Sequence, residues 1–316
     1  TNVPVIDYQL GSIRDDFEFG SVLFYRTSAI KEAVARMDVD YQYAGLYDLR
    51  LKVSQKGALE HINEYLYYDV ELDNRTTGEK NFDYVDPKNR GVQIEMEQAA
   101  TQHLKDINGY LAPGFKDVDL LGGGFEYEAS VIKTKKNRVR TIGTAIKSAL
   151  SQVVKAPYKF NVIVVDDNSE DGSVDVIKSI VAEGHENLTY IAQDKTWHAI
   201  GGNWNVALHH EKCGRFAIQL DSDDTYFDEN TVQKFIDAFH EQNCAMVVGT
   251  YQLTDFDGNM IPPGVVDHKE WTPDNGRNNA LRIHGLGAPR GFYTPMLRTI
   301  NFPTTKYGED YAVGLR

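Results

Sequence analysis

The stretch Arg215-Phe216-Ala217-Ile218-Gln219-Leu220-Asp221-Ser222-Asp223-Asp224 is an apolar run that stops abruptly on three carboxylates. An apolar segment of this length bounded by polar residues reads as a buried strand of a parallel sheet. In open α/β sheets ligands bind beyond the carboxyl ends of the strands, so this reading delivers Asp221, Ser222, Asp223 and Asp224 to a cleft. Three carboxylates so close repel one another unless positive charge lies between them, and a hard divalent cation with oxygen ligands supplies it. The same residues also suit a helix N-terminus, because Asp and Ser are favoured caps and Glu229 to His240 reads as helical. On the local sequence, metal and cap are equal readings.

Outward from this stretch the chain alternates. Strands are expected at Ala129 to Lys133, Phe160 to Val165, Leu188 to Gln193, Phe216 to Leu220 and Ala245 to Thr250, with helices at Thr141 to Gln152, Val174 to Ala182 and Asn203 to His210. Such alternation means crossover units and a mostly parallel sheet, an α/β fold. A second strand runs into Asp166-Asp167-Asn168-Ser169-Glu170-Asp171-Gly172 and then a helix, which puts Asp166 and Asp167 at the same sheet edge as Asp221 and Asp223. A carboxylate there can accept from a nucleobase imide or a ribose hydroxyl; capping of the next helix is the competing role and suits Ser169 and Asp171 better. Gly201-Gly202-Asn203-Trp204-Asn205 is expected to open a helix after a loop. Its glycines allow close backbone approach and its N-terminus favours a phosphate.

Composition sets the outer bounds. The 316 residues, 41% of them hydrophobic, suit two domains or one large soluble one. Lys and Arg number 33 against 46 Asp and Glu, and the net charge of -13 excludes a nucleic-acid surface spread over the whole chain. Cys213 and Cys244 lack any short metal or redox spacing, which favours a reducing compartment. No apolar stretch approaches the ~18 residues of a membrane helix, and the first residues lack signal character. The location expected is cytoplasmic, with peripheral contact to the inner face of the membrane left open. Asn74-Arg75-Thr76 and Asn187-Leu188-Thr189 are read as chance glycosylation matches, and Thr1 is not read as a natural start.

The region from Ala129 to Arg316 resembles a family 2 glycosyltransferase of the GT-A fold, a Rossmann-like, mostly parallel sheet flanked by helices. The resemblance is carried by Thr134-Lys135-Lys136-Asn137-Arg138 after the first strand, the Asp166 to Gly172 run, Asp221-Ser222-Asp223-Asp224, and Gly308-Glu309-Asp310 before Leu315-Arg316, in that order. It implies a nucleotide-sugar donor, a UDP-sugar first, and a Mn or Mg ion. It also implies inverting transfer to the hydroxyl of a glycan or lipid-linked acceptor, in bacterial surface-polysaccharide assembly. By the same resemblance Thr134, Asn137, Arg138, Asp166, Asp167, Gly202, Asn205, Asp221 and Ser222 contact the donor. Asp221 and Asp223 hold the metal, Asp310 is the catalytic base, and Glu309 orients it or the acceptor. The local alternative for Glu309 and Asp310 is an acidic helix N-terminus after a Gly turn. Lys133 to Lys136 replace the usual Pro and aromatic residue of the first loop, and they are placed either against phosphate or in solvent. Members of the family ordinarily continue through another helix and strand beyond the acidic pair.

Residues 1–124 read as an N-terminal α/β extension and 125–316 as the glycosyltransferase domain, with the junction at Leu121-Gly122-Gly123-Gly124. In the extension, strands are expected at Phe19 to Arg26 and Tyr65 to Val70, helices at Thr27 to Met37 and Val92 to Leu111, a Tyr-rich approach into a helix at Tyr41 to Leu51, and a loop at Leu72 to Arg90. Gly20 to Tyr67 resembles the C-terminal part of a GT-A domain, with Leu46-Tyr47-Asp48 in place of Gly308-Glu309-Asp310, a partial internal repeat against the alternative of an unrelated extension. Asp255 to Arg290 is expected as a long loop on the acceptor side, with Trp271, His268, His284 and Arg290 its notable residues. Two other functions compete. A sugar-nucleotide nucleotidyltransferase shares the layout but needs a Gly-rich Arg and Lys signature missing here. A non-catalytic GT-A-like binding module is the different-class alternative.

Overall fold

The computed structural model describes residues 7–9, 11–14, 22–68, 70, 86–193, 199–269, 280–282, 286–305 and 307–316. They fall into two compact units, Thr1–Gly114 with Gln252–Gly285, and Phe115–Tyr251 with Leu286–Arg316. In chain order the elements are α1 (Thr27–Val34), α2 (Gly45–Ser54), α3 (Arg90–Asp106), β1 (Ala129–Lys135), α4 (Ile142–Leu150), β2 (Phe160–Asp166), α5 (Ser173–Val181), β3 (Leu188–Ala192), α6 (Ala199–Leu208), β4 (Phe216–Gln219), α7 (Thr231–Gln242), β5 (Met246–Val248), β6 (Tyr251–Thr254), β7 (Met260–Val266), β8 (Arg290–Tyr293), α8 (Thr294–Ile300) and α9 (Glu309–Leu315).

In the second unit six strands form one sheet in the order β3-β2-β1-β4-β8-β5. β1 runs parallel to β2, from Ala129 opposite Phe160 to Lys135 opposite Asp166, and parallel to β4, with Ile132 opposite Gln219. β3 continues the parallel set beside β2, whereas β8 is antiparallel to both of its neighbours. Side chains alternate along a strand, so each strand feeds both faces. On one face Val131, Val162, Val164, Phe216 and Ile218 join Ile142 and Ile146 of α4, Ile177 and Ile180 of α5, and Phe235 and Phe239 of α7. On the other, Ile132, Ile163, Val165, Ala217 and Phe292 join Trp204 and Leu208 of α6, Leu297 of α8 and Val313 of α9. Phe216 stacks on Phe239 at 4.1 Å, and Trp204 stacks on Phe302 at 5.0 Å. Burying each such large side chain is worth roughly 1.5–3 kcal/mol.

The unit is therefore the mostly parallel α/β sheet with helices on both faces that the alternation implies. β1 runs two residues past its expected end, and α6 begins at Ala199, ahead of the expected Asn203. Asp255 to Arg290, expected as a loop, instead contains β7, paired with β6, and at its end the first residue of β8. The Pro262-Pro263-Gly264 run inside β7 reads as a turn from the sequence, which hid the strand. Trp271 and His284 lie outside the described residues, and His268 follows β7.

In the first unit α2 is the buried element. Its Tyr47 and Leu51 pack with Ala99, Ala100 and Leu104 of α3, and its Leu49 and Val53 with Ala33 of α1. Glu95 of α3 accepts from the backbone N–H groups of Gln42, Tyr43 and Ala44 at 3.2, 2.6 and 3.1 Å, which draws the Tyr-rich approach onto that helix. Asp48 is 3% exposed within α2. Two described residues of the later stretch join this unit's interior: Arg282, 1% exposed, donates to Gln93 Oε1 at 2.9 Å, and Asp267 pairs with Arg90 at 2.9 Å. The strands expected near Phe19 to Arg26 and Tyr65 to Val70 are not seen. Residues 22–26, 65–68 and 70 carry no ladder, and 19–21 and 69 lie outside the described residues, as do 72–85 of the expected loop.

Candidate active site

The carboxyl ends of β1, β2 and β4 share one edge of the sheet, and the reversed direction of β8 brings its first residue to that edge. Ile218 lies opposite Gly291 in the ladder, so the next step along it puts Arg290 beside Gln219. Gln219 and Asp221 alternate with Ile218 and Leu220 of the opposite core and so face the side of the sheet that carries α6, α8 and α9. Arg290, 5% exposed, donates from Nε to Gln219 Oε1 at 2.7 Å and from Nη1 to Leu286 O and Asp310 Oδ2. Gln219 in turn donates from Nε2 to Asp221 Oδ1 at 2.7 Å.

Asp310 and Glu309 open α9 after Gly308, whose φ of 75° is the left-handed turn glycine takes without strain. Asp310 accepts from the Tyr311 N–H at 2.7 Å as well as from Arg290. The pair is thus an acidic helix start, and through Arg290 and Gln219 it is linked to the edge that carries Asp221. Glu309 is buried, and burial first, then Asp310 and Asp221, push its carboxyl up against the opposing pull of Arg290.

The acidic run is not a helix cap. α7 starts only at Thr231, and Asp228 serves its first turn by accepting from Asn230 N at 2.9 Å and Thr231 Oγ1 at 3.4 Å. Asp224 has open surface, yet desolvation of its carboxyl first, then Asp221 and Asp223, push it up to about 6. Asp223, with a side chain 54% exposed, lies 3.9 Å from Arg138 Nε, a solvent-screened pair worth about 0–1 kcal/mol. Among the described residues no three Asp, Glu, His or Cys side chains converge into a closed metal cage.

Beneath this run lies Lys133. It is fully buried in β1 and donates to Leu220 O at 3.3 Å and Asp221 O at 2.5 Å. Burial lowers its ammonium from 10.5 to about 7, while Asp221, Asp224 and Asp223 hold it from falling further. Of the two places expected for this lysine, neither is found: it braces the strand end from inside the core.

Asp166 ends β2 and accepts from Ser169 N at 3.3 Å and from the Tyr190 hydroxyl at 3.4 Å. Burial first, then Asp166, push Tyr190 up to about 12. Asp167 is 7% exposed, and its Oδ1 has no hydrogen-bond partner among the described residues. The loops after β1 and β2 are stitched together. Asn137, in the left-handed region at φ 54°, donates its N–H to Ser169 Oγ at 2.8 Å and accepts from Glu170 N at 2.9 Å. Arg138 N donates to Ser173 Oγ at 2.9 Å, and Val139 N to Asp171 Oδ2 at 2.9 Å. The Ser173 hydroxyl, then the N–H groups of Val139 and Ser173, hold the Asp171 carboxyl down at about 2. Thr134, on β1 between Lys133 and Lys135, is half-buried at the same edge.

Gly202 lies inside α6 and not ahead of it, and Asn205 lies within the helix as expected. Asn205 exchanges two 2.9 Å hydrogen bonds with the Phe302 backbone, and a Cβ on Gly201 would sit 2.0 Å from Pro303 O. The close backbone approach that these residues permit is spent on residues 302–303.

A model described as glycosyl transferase family 2 matches residues 130–300, more than half of the chain. The chain belongs to this family. Solved structures similar to it include residues 1–349 of S. aureus TarS, at 24% identity over 58% of this chain and 53% of that one, TM-score 0.45. The same piece in complex with UDP-GlcNAc matches at 23% identity over 58% and 52%, TM-score 0.46. The mannosyltransferase PcManGT from Pyrobaculum calidifontis, in complex with GDP-Man and Mn2+, matches at 17% identity over 72% and 61%, TM-score 0.42. The chain thus spans about half the length of the TarS piece. No curated protein matches it.

Within the family motif region, the sequence reading passed over Gln219 and Tyr190, placed Lys133 against phosphate or in solvent, and put Arg290 in a loop. A polar residue inside an apolar strand run is the signal that was available for Lys133 and Gln219, because such a group is buried only with a partner. Arg290 carried no such signal: its place follows from the antiparallel pairing of β8.

Proposed function

We propose that the chain is a metal-dependent glycosyltransferase that moves a sugar from a nucleotide-sugar donor, a UDP-sugar, to an acceptor hydroxyl with inversion. The observation that supports this most is the meeting at one sheet edge of Asp166 and Asp167, Asp221 and Asp223, and Glu309 and Asp310. The unpartnered Oδ1 of buried Asp167 suits the imide N–H of a nucleobase. Two carboxylates without a closed cage suit a cation whose remaining ligands are diphosphate oxygens and water, and Asp221 and Asp223 would hold it. When bound, that cation stabilises the charge that grows on the diphosphate as it leaves.

The chain's own residues account for the remaining steps. Asp310 Oδ accepts the acceptor's hydroxyl proton as the oxygen forms its bond to the anomeric carbon from the face opposite the leaving diphosphate. The electron pair of the broken carbon–oxygen bond goes to the diphosphate. Glu309, its carboxyl pushed up by burial, sits beside Asp310 at the start of α9. Thr134, Asn137 and Arg138, on the stitched loops, bound the nucleotide's side of the site. The acceptor class that goes with the family is a glycan or lipid-linked sugar of a bacterial surface polysaccharide, made at the cytoplasmic face. No described helix is long and apolar enough to cross a membrane.

Calorimetric titration with UDP and with GDP, with and without Mn2+, tests the donor site. Metal-dependent binding in the wild type, lost at least about tenfold in Asp223→Ala, is expected, because removal of one of two charged ligands takes away an interaction on the order of 1.5–3 kcal/mol. Folded wild type that binds neither nucleotide ends this reading.

A further inference from the structure

Arg290 and Gln219 belong to none of the roles so far assigned, yet they join two that are. Asp221 accepts from the Gln219 amide, the Gln219 carbonyl accepts from Arg290, and Arg290 also donates to Asp310. Each link is polar, within one unit of the fold, and on the α9 side of the sheet. The Gln219 amide cannot turn over without setting its carbonyl against the Asp221 carboxylate and its NH2 against a guanidinium. Arg290 is almost wholly buried, so its three named acceptors are its substitute for water. A planar fork with several donors can hold two groups at a fixed angle, which an ammonium cannot.

Resting on the glycosyltransferase reading above, we infer that Gln219 and Arg290 are positioning residues that form a buried connector, holding the candidate metal ligand Asp221 and the candidate base Asp310 in one fixed relation. Neither touches the donor or the acceptor. Arg290 sets the Gln219 amide, Gln219 sets the carboxylate that faces the metal, and Arg290 sets the base. An arrangement of this kind ties the readiness of the donor side to the geometry of the acceptor side.

The test is a double-mutant cycle read by binding, with Mn2+ and UDP, or GDP where that is the nucleotide bound, as the probes. Gln219→Leu removes the middle link and Arg290→Met removes the far one. Each is expected to weaken nucleotide binding in the presence of Mn2+ by about tenfold or more, as loss of a hydrogen bond to a charged group does. The double variant is expected to be no weaker than either single one, because the effect of Arg290 reaches Asp221 only through Gln219. General loosening of the fold would instead make the two losses add. A crystal structure of the Arg290 variant is expected to show Asp310 turned away from the β4 edge. Where Arg290→Met does not fold, Arg290→Lys keeps the charge without the fork and takes its place in the cycle. Additive losses, unchanged binding in both singles, or an unmoved Asp310 overturn the connector while leaving the donor site standing. A folded wild type that binds neither nucleotide overturns the glycosyltransferase reading and the connector with it.

Discussion

Replacing Lys133 by Met tests the least expected feature of the site. The two side chains have nearly the same length, so the change removes the ammonium without opening a large cavity. In the folded chain the ammonium is lowered from 10.5 to about 7. At 1.36 kcal/mol for each pH unit, that drop amounts to at most roughly 5 kcal/mol of folding free energy lost by keeping the group charged inside the core. Between about pH 7 and pH 10 the unfolded chain binds more protons at this position than the folded one, so wild-type stability rises with pH through that window. The Met variant has no such group, but it leaves Leu220 O and Asp221 O without their donor, at about 1–3 kcal/mol each. The variant should therefore equal or exceed the wild type at about pH 6 and fall below it at about pH 10. Urea denaturation of both proteins at steps across this range, with chelator present, reads the difference directly. A wild-type-minus-variant difference that stays flat from about pH 6 to pH 10 would show that Lys133 reaches water, and the account of its burial would fail.

Asp310→Asn should lower turnover of the donor and acceptor pair by about 10²–10⁴-fold, the usual worth of a general base, while nucleotide binding with Mn2+, followed by calorimetry, stays within about twofold of wild type on the same principle that the base acts on the acceptor proton. Gly201→Ala should destabilise the protein by about 1–3 kcal/mol, since its Cβ meets a backbone carbonyl rather than a movable side chain. A thermal melt that matches wild type would count against the tight seating of α6 on Pro303.

The sheet was legible because its strands carry two kinds of local information. β2 carries the unbroken apolar run Val162-Ile163-Val164-Val165, and its burial on both faces is what such a run demands. The Asp166 and Asp221 motifs were legible for a related reason: an interior charge is costly without partners, so an apolar run that turns acidic marks a strand end where such partners or a ligand must be supplied. The cap alternative for Asp221 to Asp224 was undecidable locally, since the distance to the first turn of α7 cannot be read from the residue types alone. What the sequence hid is long-range pairing. Arg290 stands 71 positions from Gln219, and only the direction of β8 tells which of its ends meets β4. The expected strands at Phe19 to Arg26 and Tyr65 to Val70 had apolar and aromatic content but, in the described residues, no neighbouring strand to bond to, and β-propensity without a partner does not make a ladder.

The unit built from Thr1–Gly114 and Gln252–Gly285 draws on two stretches that the chain visits at different times. The later stretch leaves the sheet after β5 and returns to it at β8, the strand that begins with Arg290. On that excursion Asp267 pairs with Arg90, and Arg282 donates to the side-chain oxygen of Gln93. Excising the first 114 residues would not release an intact catalytic half. It would take Gln93 from buried Arg282 and Arg90 from Asp267. Evolution and engineering face the same restriction: the two segments must be exchanged together, as one cassette encoded in two places.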